Sequence, residues 1–99
     1  AGINVSPAEI EATLLTFPGV HDAAVVGAPD PARGEVPIAF VVADRELDQV
    51  AVREHCRGLL SSYKVPRRII RLDALPQTAT GKLTRTALVK MALGSEGGA

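Results

Sequence analysis

Hydrophobic and polar residues in this chain change period several times, from helical to strand-like spacing and back. The first run is helical: Ile10, Leu14 and Phe17 recur on one face. Ser6-Pro7-Ala8-Glu9 opens it, with Ser6 placed to cap, Pro7 at the first helical position and Glu9 set to close a capping box. Pro18-Gly19 stops it. Val20 to Ala28 then reads as a strand centred on Val25 and Val26, and Pro29 to Gly34 as a loop rich in backbone breakers. From Val36 to Ala43 the apolar residues occupy both faces (Ile38, Phe40, Val41, Val42), which predicts a central, covered strand with Pro37 near its beginning.

Helical spacing returns after Asp48, which is placed to cap a second helix running to about Ser61. Val52, Cys56, Leu59 and Leu60 share its apolar face, and Arg53 and Arg57 fall four apart on another. Tyr63-Lys64-Val65-Pro66 ends that unit. Arg68 to Leu72 predicts a third strand, and Thr84 is placed to cap a last helix through Leu93. The order is αββαβα. The fold class is α+β, a small sheet of about three strands covered by three helices. Residues 1–93 form one domain, and the glycine-rich tail 94–99 is expected to be disordered. No internal repeat is present.

Composition sharpens this picture. The 99 residues include only three aromatics and no Trp, so Val, Ile, Leu and Ala must build the core. The single Cys56 excludes an internal disulfide and reads as a buried small hydrophobe. No run approaches the ~20 apolar residues of a membrane span, and a cytoplasmic domain is the expectation. The net charge is zero, but its distribution is uneven. Residues 1–50 carry eight acids against two bases, whereas residues 51–99 carry three acids against nine bases, giving −6 and +6. Either the halves attract each other across the fold, or the second half faces a polyanionic ligand.

The candidate chemistry centres on Lys82. It follows Gly81 directly, in a Thr-rich turn between an apolar strand and a helix, which suits it to meet a phosphate or carboxylate. A nucleotide P-loop would need glycine five positions before Gly81 and Ser or Thr after Lys82; Pro76 and Leu83 stand there, so that motif is rejected. His21, His55 and Cys56 lack metal-ligand spacing, and no metal site is expected. Arg67, Arg68 and Arg71 have no interleaved aromatics and no net positive charge behind them. They suit a solvated edge strand better than nucleic acid.

Leu75-Pro76-x-Thr78-x-Thr80-Gly81-Lys82-Leu83-x-Arg85 resembles the C-terminal signature of the adenylate-forming superfamily: acyl-CoA synthetases, peptide-synthetase adenylation domains and luciferases. Four further segments match in order. Gly2-x-Asn4-x-x-Pro7-x-Glu9-Ile10-Glu11 resembles the motif just beyond the interdomain hinge. Pro18-Gly19-Val20 with Ala23-Ala24-Val25-Val26-Gly27 resembles the first strand. Asp30-x-x-x-Gly34-Glu35 before Ala39-Phe40-Val41 resembles the second, and Tyr63-Lys64-Val65-Pro66 the segment before the last. Thr80 before Gly81-Lys82, where peptide-synthetase domains usually carry Asn, leans toward the acyl-CoA synthetases.

The resemblance implies a mobile C-terminal domain of an ATP-dependent acid–CoA ligase. Such enzymes join ATP, with Mg2+, and a carboxylic acid into an acyl-adenylate, from which a thiol displaces AMP. By resemblance Lys82 is the adenylation lysine, with Thr78, Thr80 and Gly81 forming its loop. Gly2 matches a glycine lining the pantetheine tunnel after the domain rotates. Arg57, by its distance from Pro66, aligns with a basic residue that touches the CoA nucleotide phosphate in some members. The implied partners are a large N-terminal domain and CoA or a carrier-protein pantetheine. The phosphate loop, acyl pocket and hinge residue lie outside these residues, so the 99 residues alone are expected to be inactive and to hold no cofactor. Two alternatives stand beside this reading: a peptide-synthetase-type adenylation fragment, and a stand-alone, non-catalytic docking module.

Overall fold

The computed structural model describes residues 6–77 and 79–97. Its elements run α1 (Pro7–Leu15), β1 (Val20–Asp30), β2 (Gly34–Ala43), α2 (Gln49–Leu59), a 3-10 turn (Ser62–Lys64), β3 (Arg68–Leu72) and α3 (Arg85–Gly97). This is the αββαβα order that the periodicity predicts. The sheet order is β1-β2-β3, with β2 central as its two-sided apolar run requires. β1 and β2 form an antiparallel hairpin from the Val20–Ala43 pair to the Asp30–Gly34 pair. β3 lies parallel to β2, from Ile38–Arg68 to Val42–Leu72, and α2 supplies the crossover that a parallel pair needs.

Two cores flank the sheet. Ile10 and Leu14 of α1 and Val52 and Cys56 of α2 pack with Val25, Ala39, Val41 and Ile69 on one face. Leu88 and Ala92 of α3 pack with Ala24, Val26, Ile38 and Phe40 on the other. Cys56 is fully buried, as its place on the apolar face of α2 predicts, and burial pushes its thiol up from the ordinary range. A thiol reagent at neutral pH is therefore expected to leave Cys56 unmodified in the native fold and to label it once urea unfolds the chain. Labelling in native buffer at the rate of a free thiol would contradict this packing. The unfolded thiol ionises first as pH rises, so this group weakens the fold only above the ordinary thiol range.

Local chemistry explains where the elements depart from their predicted limits. The hairpin loop is shorter than Pro29–Gly34. Asp30 Oδ2 accepts from Ala32 N (3.1 Å) and Arg33 N (2.8 Å), and Gly34 takes φ +82°, so pairing continues to Asp30. Pro37 sits one residue before β3 joins the sheet, and its carbonyl accepts from Arg67 N at 2.8 Å. Ser6 makes no side-chain cap bond, and Glu9 does not close a capping box; its Oε1 accepts from Lys64 Nζ at 2.7 Å. A charged donor outcompetes a neutral backbone N–H, and the same hydrogen bond raises the Lys64 pKa.

Helix ends differ too. α1 finishes at Leu15, where Thr16 N and Phe17 N bond to Thr13 and Leu14 carbonyls and tighten the last turn. Asp48 caps α2 as expected, its Oδ1 accepting from Val50 N (3.0 Å) and Ala51 N (3.1 Å). α2 stops at Leu59 rather than about Ser61. Leu60 then turns extended and packs against the core, while Leu59 stands 61% exposed instead of on the buried face. α3 continues past Leu93 to Gly97, into the residues that read as a disordered tail. Residues 98 and 99 lie outside the described residues.

The charged halves do meet. Lys64–Glu9 (2.7 Å), Arg85–Glu11 (3.2 Å) and Arg67–Asp30 (3.7 Å) each join a base from the second half to an acid from the first.

Candidate functional site

The lysine turn is a small hairpin held at its base. Gln77 and Leu83 form an antiparallel bridge, and Thr84 N donates to the Pro76 carbonyl at 3.0 Å. Leu75 and Leu83 are half-buried against the core under α3, so the apolar residues on either side of the turn anchor it. Ala79, Thr80, Gly81 and Lys82 are exposed above that base. Gly81 has φ +84°, a left-handed conformation that costs an L-residue roughly 1–2 kcal/mol. A Cβ there would meet nothing within 4 Å, so backbone freedom rather than space explains the glycine. The reversal at Gly81 sends Lys82 to the surface while its neighbour Leu83 enters the core. Thr78 and Gly2 lie outside the described residues.

A second positive feature surrounds Arg57. A cavity of about 660 Å³ is lined by Arg33, Arg53, Arg57 and Arg67, with Leu60 and Pro66 among its apolar walls. Three parts of the chain supply the guanidinium groups: the β1–β2 turn, one face of α2, and the residue before β3. Two carboxylates answer them, Glu54 with Arg57 (2.9 Å) and Asp30 with Arg67 (3.7 Å). Arg53 spends a donor on the Arg67 carbonyl. The groove is net positive and offers planar donors suited to phosphate oxygens. Sequence reasoning placed Arg57 here alone. Arg33 and Arg67 carry no local signal for the groove, and the excess of bases after residue 50 points only to a basic surface somewhere.

The two features lie over different cores. Lys82 does not line the arginine groove. Leu83, beside it, packs under α3, whereas Leu60 and Val65 of the groove pack against the core under α1 and α2.

Other candidates resolve into packing. Arg68 Nη1 donates to the Ala92 carbonyl (3.3 Å) and Arg71 Nε to the Ala43 carbonyl (2.7 Å), tying β3 to its neighbours. His55 Nε2 lies 2.7 Å from Thr16 Oγ1, and its ring meets Phe17 edge-on at 5.4 Å, bridging α2 to the end of α1. His21 stands 3.8 Å from Asp44. Among the described residues no group of three or more His, Cys, Asp or Glu is placed to hold a metal ion. No helix there is long and apolar enough to cross a membrane.

Residues 9–82 match the model of the AMP-binding enzyme C-terminal domain, from the first turn of α1 to the lysine itself. The chain belongs to that family. A 2-succinylbenzoate–CoA ligase from Listeria monocytogenes is 41% identical over 87 residues, covering 88% of this chain and 19% of that protein. The fold matches that of a fatty acyl CoA synthetase from Mycobacterium tuberculosis with a TM-score of 0.86 at 39% identity, over 94% of this chain and 19% of that one. It matches ATP-bound MatB from Rhodopseudomonas palustris with a TM-score of 0.84 at 34% identity, over 90% and 18%. The chain thus spans about a fifth of the length of these relatives. As an AMP-binding C-terminal domain it corresponds to that small share of each, and the remainder of each lies outside the match.

Proposed function

We propose that this chain is the mobile C-terminal domain of a cytoplasmic, ATP-dependent acid–CoA ligase, with Lys82 as its adenylation lysine. The observation that carries this is the turn itself: an exposed lysine, released by the left-handed Gly81 from a base that is pinned to the core. When a carboxylate attacks the α-phosphorus of ATP, charge grows on oxygens of both reactants. A compact ammonium on a long stem can reach those oxygens and stabilise that charge. Gly81 lets the turn present Lys82 with Thr80 exposed beside it, and Thr78 is assigned to the same loop on the resemblance alone. Mg2+ accompanies the ATP, and its ligands are assigned to the large domain, as is the pocket that chooses the acid.

The arginine groove supports the second half-reaction. CoA carries a phosphorylated nucleotide, and Arg57, Arg67, Arg53 and Arg33 present donors to such a group. Lys82 and the groove stand over opposite cores, which suits a domain that turns one face and then the other toward the same bound acyl group. Gly2 is assigned to the pantetheine side of that second arrangement. No observation favours the peptide-synthetase or docking-module alternatives.

The intact protein is expected to catalyse acid-dependent ATP–pyrophosphate exchange and CoA thioester formation, and the 99 residues alone to do neither. Changing Arg57 and Arg67 together to Glu removes at least one charged hydrogen bond and reverses the local charge, and should raise the KM for CoA by at least about 10–100-fold. Exchange kinetics serve as the internal comparison. An unchanged KM for CoA would remove the groove from the proposal, and an intact protein without acid-dependent exchange would remove the ligase reading.

A further inference from the structure

At Val25, in the middle of β1, two side chains take the outward-facing backbone groups of this edge strand. Val25 pairs with Ala39, and its N–H and C=O both point away from β2. Glu11 Oε2, from α1, accepts from Val25 N at 2.8 Å. Arg85, the first residue of α3, donates from Nη1 to the Val25 carbonyl (2.8 Å) and to Glu11 Oε2 (3.2 Å). Three bonds therefore close a ring through α1, the sheet edge and the start of α3. The Glu11 side chain is 18% exposed and that of Arg85 48%, so the two part-buried bonds to Val25 are less screened than a surface pair, whereas the Arg85–Glu11 contact is open to solvent.

This ring sits three residues after Lys82. The body of α3 is already held by Leu88 and Ala92, and the base of the turn by Leu83 and the Gln77–Leu83 bridge. The apolar contacts fix the depth of the turn but not its direction, and the backbone bonds of the bridge and of Thr84 N to the Pro76 carbonyl join the two arms of the turn to each other rather than to the sheet. The Arg85 bonds are directional. They fix how the chain leaves Leu83 and enters α3, and hence the direction in which Lys82 leaves the fold.

Building on the ligase reading, we propose that Glu11 and Arg85 are positioning residues for Lys82: they hold the turn in the orientation that adenylation needs. An ammonium displaced by about 1 Å loses on the order of 10²-fold in rate. Thioester formation draws on the other face of the domain and does not need Lys82 aligned, so the pair acts on one half-reaction.

The test uses the full-length protein with Arg85→Gln, Arg85→Lys, Glu11→Gln and the Glu11→Gln/Arg85→Gln double variant. Acid-dependent pyrophosphate exchange is expected to fall about 10²-fold through kcat in Arg85→Gln and Glu11→Gln, with the KM for ATP held within about twofold. The double variant falls no further than the worse single one, because both act through one ring. Arg85→Lys keeps a charge and donors for both acceptors, which one nitrogen of Arg85 already serves, but on a shorter stem, and should recover part of the loss. Thioester formation from supplied acyl-adenylate stays at the wild-type rate.

Amide hydrogen exchange on the same proteins gives a readout independent of catalysis. Exchange at Val25 and residues 81–84 should quicken about tenfold, while Phe40 in the central strand stays protected. If Arg85→Gln fails to fold, Arg85→Lys and Glu11→Gln carry both readouts. Equal loss of both half-reactions, additive effects, or quickened exchange spread through the core would overturn the positioning role and leave a structural one. Unchanged exchange at 81–84 would overturn it as well. An intact wild-type protein without pyrophosphate exchange would instead sink the ligase reading, and the amide measurement would still decide whether the ring orients the turn.

Discussion

Replacing Lys82 with alanine in the intact protein is expected, on the proposed role, to lower acid-dependent ATP–pyrophosphate exchange by about 10²–10³-fold, the usual cost of removing one preorganised donor from a developing oxyanion. The KM for ATP should change little, because the role proposed for the ammonium is to meet charge that appears during attack at phosphorus. Thioester formation from a supplied acyl-adenylate should continue at the wild-type rate. Lys82→Arg should rescue little: a planar guanidinium is larger and fixes its donors in a fork, whereas the turn presents a point charge on a flexible stem. The fold is a built-in control. Lys82 is exposed and lies outside both cores, so the substitution should change stability by no more than about 1 kcal/mol, the worth of a surface contact. A variant that lost both half-reactions equally would show that Lys82 serves the whole catalytic cycle rather than adenylation.

The sequence carried some of these features openly and hid others, and the difference is physical. Two-sided apolar character announces β2 because a central strand must be buried on both faces, and helices do cover both faces. Asp48 is legible as a cap because the N–H groups that donate to its carboxylate lie within three residues. Glu9 is the counter-example. Its local spacing fits a capping box, but Lys64, 55 residues away, takes its carboxylate. Leu59 fails for a related reason: helical period places it inward only while the helix lasts, and α2 ends there. Lys82 is visible because its turn chemistry is contiguous. The arginine groove is not, since residues 33, 53, 57 and 67 converge only through the hairpin, α2 and the approach to β3. The Glu11–Arg85 ring spans 74 positions and ends on backbone atoms of Val25, which no side-chain pattern encodes.

Phe40→Ala should be among the most damaging single changes to the fold, costing about 3–5 kcal/mol of unfolding free energy. Phe40 is fully buried in the middle of the central strand, and it heads the largest buried side chains of a chain that has only three aromatics. Its partners across the sheet are Ala24 on β1 and Ile70 on β3, and Leu88 and Ala92 approach from α3. The small alanines beside it offer little bulk to fill the space, and a sheet bonded on both sides cannot collapse inward. The cavity term should therefore remain. A domain of this size has roughly 5–15 kcal/mol in total, so the loss takes about a fifth of that or more and lowers the midpoint by on the order of 20 °C. Phe40→Leu keeps most of the volume and should cost under about 1.5 kcal/mol. Leu75 and Leu83 rest on the same core. Warming Phe40→Ala should accordingly release the lysine turn, so that pyrophosphate exchange in the intact protein fails with the domain's own melting transition, well below the wild-type temperature. Thermal unfolding by circular dichroism, run beside exchange assays across temperature, measures both. A loss under about 1 kcal/mol would mean the core repacks freely around the missing ring. Exchange activity that persisted above the domain's midpoint would uncouple the lysine turn from the core on which it rests.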